Sequence, residues 1–358
     1  MIIVTRSQTT SEEHQQVVDL LQQLLGGQRP ISAITMQQRQ VITIDGNSLD
    51  AQAHAALNQH SAVERIVPMH TPYQLVSRAF QSENSRVVVG DLLGGLPVTI
   101  GDTAAPVVIA GPCAVESREQ LLEIARAVKA AGAQVLRGGA FKPRTSPYQF
   151  QGLGVEGLHL LAEAREETGL PVITEVMEPE MVDVVARYAD ILQIGSRNMQ
   201  NFPLLRAAGS HPSRRPVMLK RGLASTIDEW LLAAEYIVAA GNPNVILCER
   251  GIRSFDPHTR NLLDLTCVPL LHELTHLPVI VDPSHATGRR ELVPTMSRAS
   301  IAAGADGLIL ETHTDPNNAL CDGRQSITPE QLRAIVRETR LVAQIMCAPV
   351  VPVFEYVA

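Results

Sequence analysis

The feature that most constrains this chain is a unit repeated eight times after Pro106, a short apolar run followed by a segment of helical periodicity. The apolar runs predict strands at Val107–Ile109, Gln134–Leu136, Val172–Thr174, Ile191–Ile194, Val217–Leu219, Val245–Leu247, Val279–Val281 and Gly307–Leu310. Such runs suit a parallel sheet buried on both faces, and helices are predicted between them, as at Arg118–Ala131. Eight units in about 240 residues predict a (β/α)8 TIM barrel over residues 106–346, with an open doubly wound sheet as the alternative.

The first 70 residues predict a separate small domain. Its elements are expected to be strands at Ile2–Val4, Ile31–Met36, Gln40–Ile44 and Val63–Val67, with helices at Ser11–Leu25 and Leu49–Leu57. This order is the split βαβ of a small ferredoxin-like α+β domain, which we predict over residues 1–70. A ligand-sensing module and a passive docking domain are both consistent with it.

Two further segments flank the predicted barrel. Residues 71–105 are expected to form a linker, with a helical stretch at Thr71–Glu83 and a hairpin at Arg86–Ile100. Residues 347–358 form an apolar C-terminal tail without an assigned role.

The composition limits the classes of partner. A formal net charge of -7 and an aromatic content of 3% argue against a nucleic-acid binder. Apolar runs stay below membrane-spanning length, and the first residues lack a signal-peptide pattern, so we expect no membrane partner. Five irregularly spaced cysteines indicate a reducing compartment, and the predicted location is cytoplasmic.

Polar residues follow all eight predicted strands, and the carboxyl ends of barrel strands are where active sites lie. Four of these residues combine a sulfur, an imidazole nitrogen and two carboxylates: Cys113, His285, Glu311 and Asp322. This mixed set predicts a divalent transition metal, and by itself does not discriminate among Mn²⁺, Fe²⁺, Co²⁺ and Zn²⁺.

A second set is cationic and consists of Arg137, Lys142, Arg144, Arg197, Lys220 and Arg250. So many cations at one barrel mouth would repel one another unless anions lie among them, which predicts two phosphorylated ligands. In the loop after the second strand, Arg144 with Thr145 and Ser146 forms a plausible phosphate cradle. A solvated basic loop is the alternative for this stretch taken alone.

One motif points elsewhere. His272-Glu-Leu-Thr-His276 fits the H-E-x-x-H pattern of zinc proteases. It directly precedes the seventh strand, which puts it at the opposite, stability face of the barrel. We therefore expect a polar helix end rather than a metal site.

These motifs together resemble those of 3-deoxy-D-arabino-heptulosonate 7-phosphate (DAHP) synthases. They are Gly-Pro-Cys113, Arg137 followed by Lys142-Pro-Arg-Thr145, Gly-Ser-Arg197, Leu-Lys220-Arg-Gly, Glu-Arg250-Gly, Asp-Pro-Ser-His285, and Glu311 with Asp322. The resemblance spans residues 106–345. The N-terminal module is similar to the regulatory domain of the type I beta branch, which closes over the barrel mouth when an aromatic amino acid binds.

The resemblance implies a transferase that condenses phosphoenolpyruvate with erythrose 4-phosphate, releasing phosphate, at the first step of the shikimate pathway. The metal, with Mn²⁺ favoured, would polarise the aldehyde oxygen. The phosphoenolpyruvate ligands would be Arg137, Arg197, Lys220 and Arg250. Arg144 and Thr145 would bind the aldose phosphate. The predicted catalytic residues are Lys142, Cys113 and His285.

Lys142 lies between the two substrates as a substrate-binding residue and candidate proton donor, with a purely electrostatic role as the alternative. Glu175 and Asp282 would orient the cations or the water. Cys321, next to Asp322, would form an inactivating disulfide with Cys113 when the metal is absent.

Two other functions stay open at this point. One is 3-deoxy-manno-octulosonate 8-phosphate synthase, whose loop reads Lys-Ala-Asn-Arg where this chain has Lys142-Pro-Arg-Thr. The other is a non-catalytic, metabolite-sensing barrel, against which the complete metal set argues. We further expect a tyrosine or phenylalanine effector and a homo-oligomer, with a tetramer favoured.

Overall fold

Four strands and two helices make up the described part of the N-terminal module. A computed structural model describes residues 1–7, 9–26, 31–36, 39–44, 49–67, 71–101, 105–144 and 146–347. The module runs β1 (Ile2–Thr5), α1 (Ser11–Leu24), β2 (Ile31–Met36), β3 (Arg39–Ile44), α2 (Ala51–Gln59) and β4 (Val63–Val67). The strands form one antiparallel sheet in the order β2–β3–β1–β4, so the predicted elements are confirmed within a residue or two at their ends.

The two faces of this sheet have different partners, because alternate strand residues point to opposite faces. Ile3 lies in an apolar cluster with Val17 of α1. Val4 instead belongs to the main core cluster, together with Phe80 of the segment that follows the module. Arg65 of β4 strengthens that contact, since its Nη2 donates to the Phe80 carbonyl at 2.5 Å and its guanidinium lies 5.9 Å from the ring centroid.

Residues 71–101, with 105, connect the module to the barrel. The predicted hairpin is confirmed as β5 (Val87–Val89) paired with β6 (Val98–Ile100). The helical stretch predicted at Thr71–Glu83 is wrong, because the chain forms turns there. Its backbone donors bind a distant side chain instead: the Glu235 carboxylate accepts from the amides of Leu75 and Val76, at 2.8 and 3.1 Å.

Eight parallel strands form the barrel, each close to its predicted position. They are β7 (Val107–Gly111), β8 (Val135–Arg137), β9 (Val172–Glu175), β10 (Ile191–Ile194), β11 (Val217–Lys220), β12 (Val245–Glu249), β13 (Val279–Val281) and β14 (Gly307–Glu311). Neighbours in sequence are neighbours in the sheet, and β14 pairs with β7. The ring is closed, which excludes the open doubly wound sheet.

Helices follow the strands and, apart from the short α9 with His285, cover the outside of the barrel. They are α3 (Arg118–Ala131), α4 (Val155–Thr168), α5 (Val182–Ala186), α6 (Phe202–Ser210), α7 (Ile227–Ala239), α8 (Cys267–Leu274), α9 (Pro283–Thr287), α10 (Val293–Ala302) and α11 (Pro329–Cys347). Short 3₁₀ turns lie at Pro179–Met181 and Ser196–Asn198. Among the helices of the described ranges, none is both long and apolar enough to cross a membrane.

The hairpin fills the base of the barrel, where the strands begin. Val87, Val89 and Ile100 are buried in one cluster with inward-facing strand residues such as Ile109 and Ile246. The lower interior is therefore packed with apolar side chains, and polar groups are left to the opposite end.

The H-E-x-x-H segment lies at this base, as predicted. Helix α8 ends at Leu274, and His272 Nε2 contacts the Gly304 carbonyl at 3.0 Å. His276 is buried beyond the helix end, with Nε2 2.8 Å from the Leu75 carbonyl and Nδ1 2.7 Å from the Ser85 hydroxyl. Each histidine thus binds a different backbone segment, and His276 anchors the connector.

Candidate active site

Two overlapping groups of side chains could hold a metal ion at the carboxyl ends of the barrel strands. One consists of Cys113, Cys321 and Asp322, the other of His285, Glu311 and Asp322, and the ligand atoms in each lie within 4.8 Å of one another. The structure therefore brings the four predicted ligands together and adds Cys321. A thiol, an imidazole and two carboxylates fit a divalent transition metal.

The histidine in this set has a defined tautomer. His285 Nδ1 lies 2.7 Å from Asp282 Oδ2, which also accepts from Lys220 Nζ at 2.6 Å. Because a carboxylate flanked by two partners accepts from both, Nδ1 carries the hydrogen and Nε2 presents its lone pair. That lone pair faces Glu311 Oε1 at 3.2 Å. A contact this short is favourable when a proton on Nε2 or a bound cation lies between the two atoms, and the neutral imidazole therefore fits a metal site.

Neighbouring cationic side chains lower the pKa values of the two buried carboxyl groups, Asp282 and Glu311. Burial would raise the pKa of Asp282, but His285 and Lys220 hold that pKa well below its usual range. Burial would likewise raise the pKa of Glu311, and His285 with Arg137 outweighs it. Both carboxyl groups are consequently ionised, and Glu311 Oε1 forms a buried ion pair with Arg137 Nη1 at 3.1 Å.

The Cys113 thiol has three close neighbours. Its Sγ lies 2.8 Å from Cys321 Sγ, 3.4 Å from Asp322 Oδ2 and 3.1 Å from Lys142 Nζ. Burial, followed by the contact with Cys321, raises the pKa of Cys113 well above its usual range. A metal ligand must be a thiolate, so metal binding here would release the proton.

A cavity of about 270 Å³ opens beside the metal-ligating groups. Four buried cations line it, from the ends of β8, β11 and β12 and from the loop after β8: Arg137, Lys142, Lys220 and Arg250. Arg197, Arg253 and Arg260 also line it, and Glu175 is the one carboxylate among the described lining residues. Such an excess of positive charge in a buried cavity is suited to anionic ligands.

Several buried donors around this cavity have no hydrogen-bond partner among the described residues: Arg137 Nε, Arg250 Nη1 and Ser196 Oγ. Burial lowers the pKa of Arg250, which reflects the cost of keeping that charge away from water. Each unsatisfied buried donor costs about 1–3 kcal/mol, more for a charged group, and a bound anion would remove this cost.

Two glycines let the polar side chains approach the backbone. A Cβ at Gly139 would lie 2.6 Å from Lys142 Cδ and 2.7 Å from the Cys113 carbonyl oxygen. A Cβ at Gly195 would lie 2.0 Å from Glu175 Oε1. The positions of Lys142 and Glu175 therefore depend on the absence of a side chain at those residues.

Of the cradle predicted for the aldose phosphate, Arg144 is described by the structure. Arg144 is half-buried, and its Nε donates to the Phe150 carbonyl at 2.9 Å. Arg144 is not among the described residues that line the cavity. Thr145 lies outside the described residues.

The sequence patterns missed two residues close to the metal-ligating groups. Gln325 Nε2 donates to Glu311 Oε2 at 2.7 Å, and Arg260 Nη1 donates to Gln325 Oε1 at 3.1 Å. Gln325 is three residues beyond Asp322, which is the one local signal that could have drawn attention to it. Arg260 comes from the irregular loop after β12, which carries no periodic pattern.

With this fold and this site, the chain belongs to the DAHP synthetase I family, whose family model matches residues 78–345. The phospho-2-dehydro-3-deoxyheptonate aldolase of Thermotoga maritima is 45% identical to it over 350 residues, which cover 96% of this chain and 98% of that protein. The 2-dehydro-3-deoxyphosphooctonate aldolase of Caulobacter vibrioides is 35% identical over 260 residues, covering 68% of this chain and 89% of the relative.

Solved structures agree with this relationship. The crystal structure of the Thermotoga maritima phospho-2-dehydro-3-deoxyheptonate aldolase (DAHP synthase) covers 96% of this chain and 97% of its own, with a TM-score of 0.74. A truncated form of 3-deoxy-D-arabino-heptulosonate 7-phosphate synthase from the same organism is 47% identical, with a TM-score of 0.69, and covers 76% of this chain and 97% of its own. The predicted family and barrel are thereby confirmed.

Proposed function

We propose that this chain condenses phosphoenolpyruvate with erythrose 4-phosphate and water to give DAHP and inorganic phosphate. One observation carries the proposal: a cavity of about 270 Å³, lined by buried cations with unsatisfied donors, adjoins a mixed sulfur, nitrogen and oxygen donor set. Anion binding beside a Lewis-acid site is what joining an enol phosphate to a phosphorylated aldehyde requires. Membership of the family and the Thermotoga relative support the same reaction.

Phosphoenolpyruvate would occupy the cavity. Arg137, Lys220 and Arg250 are buried there and can divide the phosphate and carboxylate among them, with Arg197 at the more exposed side. Guanidinium groups grip both anions in a bidentate manner. Lys220 also donates to Asp282, which keeps its ammonium directed into the site.

Cys113, His285, Glu311 and Asp322 would hold the divalent metal, for which we favour Mn²⁺, and Cys321 lies within reach. When bound, the metal supplies a Lewis acid that polarises a carbonyl oxygen. Asp282 keeps His285 in the tautomer that offers Nε2 as a ligand.

The remaining steps concern carbon and proton transfer. Carbon 3 of phosphoenolpyruvate forms the new bond to the aldehyde carbon, whose oxygen gains a proton, and water adds at carbon 2 before phosphate departs. Lys142 is our candidate for supplying that proton or its charge. Its Nζ donates to the Cys113 carbonyl and sulfur at 3.0 and 3.1 Å, which holds it at the junction of cavity and metal groups. Arg144 and Thr145 would bind the phosphate of the aldose.

The loss of phosphoenolpyruvate absorbance tests this proposal. We expect turnover with erythrose 4-phosphate that EDTA abolishes and added Mn²⁺ restores. Preference for arabinose 5-phosphate would instead assign the chain to the octulosonate reaction, which the 35% identical relatives make the second candidate. No turnover of either aldose by the metal-loaded protein would favour a metabolite-sensing barrel.

We also propose that residues 1–70 are a ferredoxin-like regulatory domain, residues 71–105 a linker and hairpin, residues 106–346 the catalytic barrel and residues 347–358 a tail. The β2–β3–β1–β4 order of the module supports the first assignment. Tyrosine or phenylalanine is the proposed effector, and it can inhibit only by favouring one position of the module over another. In the present arrangement the module contacts the connector at the barrel base, so closure over the mouth is a different arrangement. We further propose that the protein is a cytoplasmic homo-oligomer, with a tetramer favoured.

A further inference from the structure

The carboxylate of Glu311 is held by a chain of hydrogen bonds that no catalytic step uses. Gln325 is only 3% exposed, and its Nε2 donates to Glu311 Oε2 at 2.7 Å. Its Oε1 accepts from Arg260 Nη1 at 3.1 Å. An amide between a carboxylate and a guanidinium has one favourable orientation, because reversing it would place acceptor against acceptor and donor against donor.

This arrangement distinguishes the two oxygens of Glu311. Oε2 is bound to Gln325, whereas Oε1 lies 3.2 Å from His285 Nε2 and forms a buried ion pair with Arg137 Nη1 at 3.1 Å. The oxygen that Gln325 does not bind is thus the one that faces His285 among the metal-ligating groups.

The loop after β12, which carries Arg260, also contacts the segments of Asp322 and His285. Arg260 Nη1 lies 3.7 Å from Asp322 Oδ2, and the Arg260 amide donates to the Thr287 carbonyl at 3.0 Å. Asn261 Nδ2 donates to the backbone carbonyl of His285 at 3.0 Å. The loop after β12 therefore contacts the segments that carry two of the four predicted ligands, His285 and Asp322, and reaches Glu311 through Gln325.

We propose that Gln325 and Arg260 are positioning residues, which fix Glu311 so that Oε1 is its metal-ligating oxygen. This inference rests on the metal site proposed above. Partners that orient metal ligands typically change metal affinity by about 10–100-fold when they are removed. We expect a loss of that size for Gln325→Met, which keeps the length of the side chain but removes the amide.

The dissociation constant for Mn²⁺, measured without substrate, tests the inference. Free Mn²⁺ is quantified by electron paramagnetic resonance. Gln331→Met is the matched control, because the Gln331 side chain also accepts a hydrogen bond, from the Thr328 amide at 2.9 Å, but lies at the start of α11. Arg260→Met should also weaken Mn²⁺ binding, and Arg260→Lys should recover part of the loss because an ammonium can still donate to the amide oxygen. Thermal unfolding of each metal-free variant separates lost affinity from lost stability.

A Gln325→Met dissociation constant within twofold of the wild-type value would overturn the inference while leaving the metal site intact. An equal loss in Gln331→Met would also overturn it, since the effect would then be general. Failure of the wild-type protein to bind Mn²⁺ would overturn the proposed site and this inference together. If Gln325→Met does not fold, the comparison of Arg260→Met with Arg260→Lys decides the question.

Discussion

The buried His276 predicts a loss of stability as the pH falls. Burial lowers the pKa of His276 from 6.5 to about 4. The Leu75 carbonyl can only accept, so Nε2 carries the hydrogen of a neutral imidazole while Nδ1 faces the Ser85 hydroxyl. The unfolded chain takes up a proton near pH 6.5 that the folded protein resists. The contribution of neutral His276 to the free energy of unfolding is therefore complete above pH 6.5 and is lost as the pH falls toward 4.

The size of the effect follows from the two pKa values. Between pH 7.5 and pH 5, linkage gives a loss of about 2 kcal/mol, rising to about 3 kcal/mol below pH 4. With an unfolding entropy of roughly 2 cal/mol/K per residue, a barrel of this size would lose roughly 4 °C in Tm at pH 5. His276→Gln keeps a donor for Leu75 but cannot titrate, so this share of the pH dependence should disappear.

Scanning calorimetry of both proteins at pH 7.5 and pH 5 measures the difference between the two shifts, in which all other titrating groups cancel. His258→Gln, at an exposed position of the loop after β12, is the control and should behave as wild type. Parallel Tm curves for wild type and His276→Gln would refute the reasoning, because they would mean that His276 protonates equally well in the folded protein.

The other predictions concern the candidate site and the module. Cys113→Ser should lose bound metal and turnover together, since a hydroxyl stays protonated at neutral pH; full activity in a metal-quantified variant would contradict the assignment. Metal-free protein exposed to oxygen should lose two titratable thiols, recoverable with dithiothreitol, because Cys113 and Cys321 sulfurs lie 2.8 Å apart; Cys321→Ser should prevent this loss. Arg144→Ala should raise the KM for erythrose 4-phosphate by roughly tenfold with little change for phosphoenolpyruvate, whereas an equal rise for both would mean that the cations are divided wrongly. Deleting residues 1–70 should leave an active barrel insensitive to tyrosine and phenylalanine, and continued inhibition would locate the effector site in the barrel.

The barrel could be predicted because each of its strands is buried on both faces and therefore consists of a short apolar run. Parallel topology then brings the polar residues that follow these runs to one end of the barrel. Cys113, His285, Glu311 and Asp322 are far apart in sequence, yet they meet because all lie at the carboxyl ends of their strands or just beyond.

What could not be predicted depends on tertiary contacts. The turns at residues 71–83 are stabilised by Glu235, about 160 positions away, and no local pattern reports such a partner. Gln325 and Arg260 come from two irregular loops, and their relation to Glu311 exists only once the barrel has closed. Thr145 lies outside the described residues, so its role stays a prediction.

The hairpin at the base of the barrel has a practical consequence for dividing this chain into working pieces. Val87, Val89 and Ile100 are as much part of the barrel interior as the strands themselves, although they precede the first of them. A fragment beginning at Pro106 would expose the apolar floor formed by residues such as Ile109 and Ile246 to water, and we expect it to aggregate. A fragment beginning near residue 71 would retain both the floor and the His276 anchor. The smallest transplantable catalytic unit is therefore longer than the barrel it contains, and a fusion that exchanges the N-terminal module should be joined ahead of the connector.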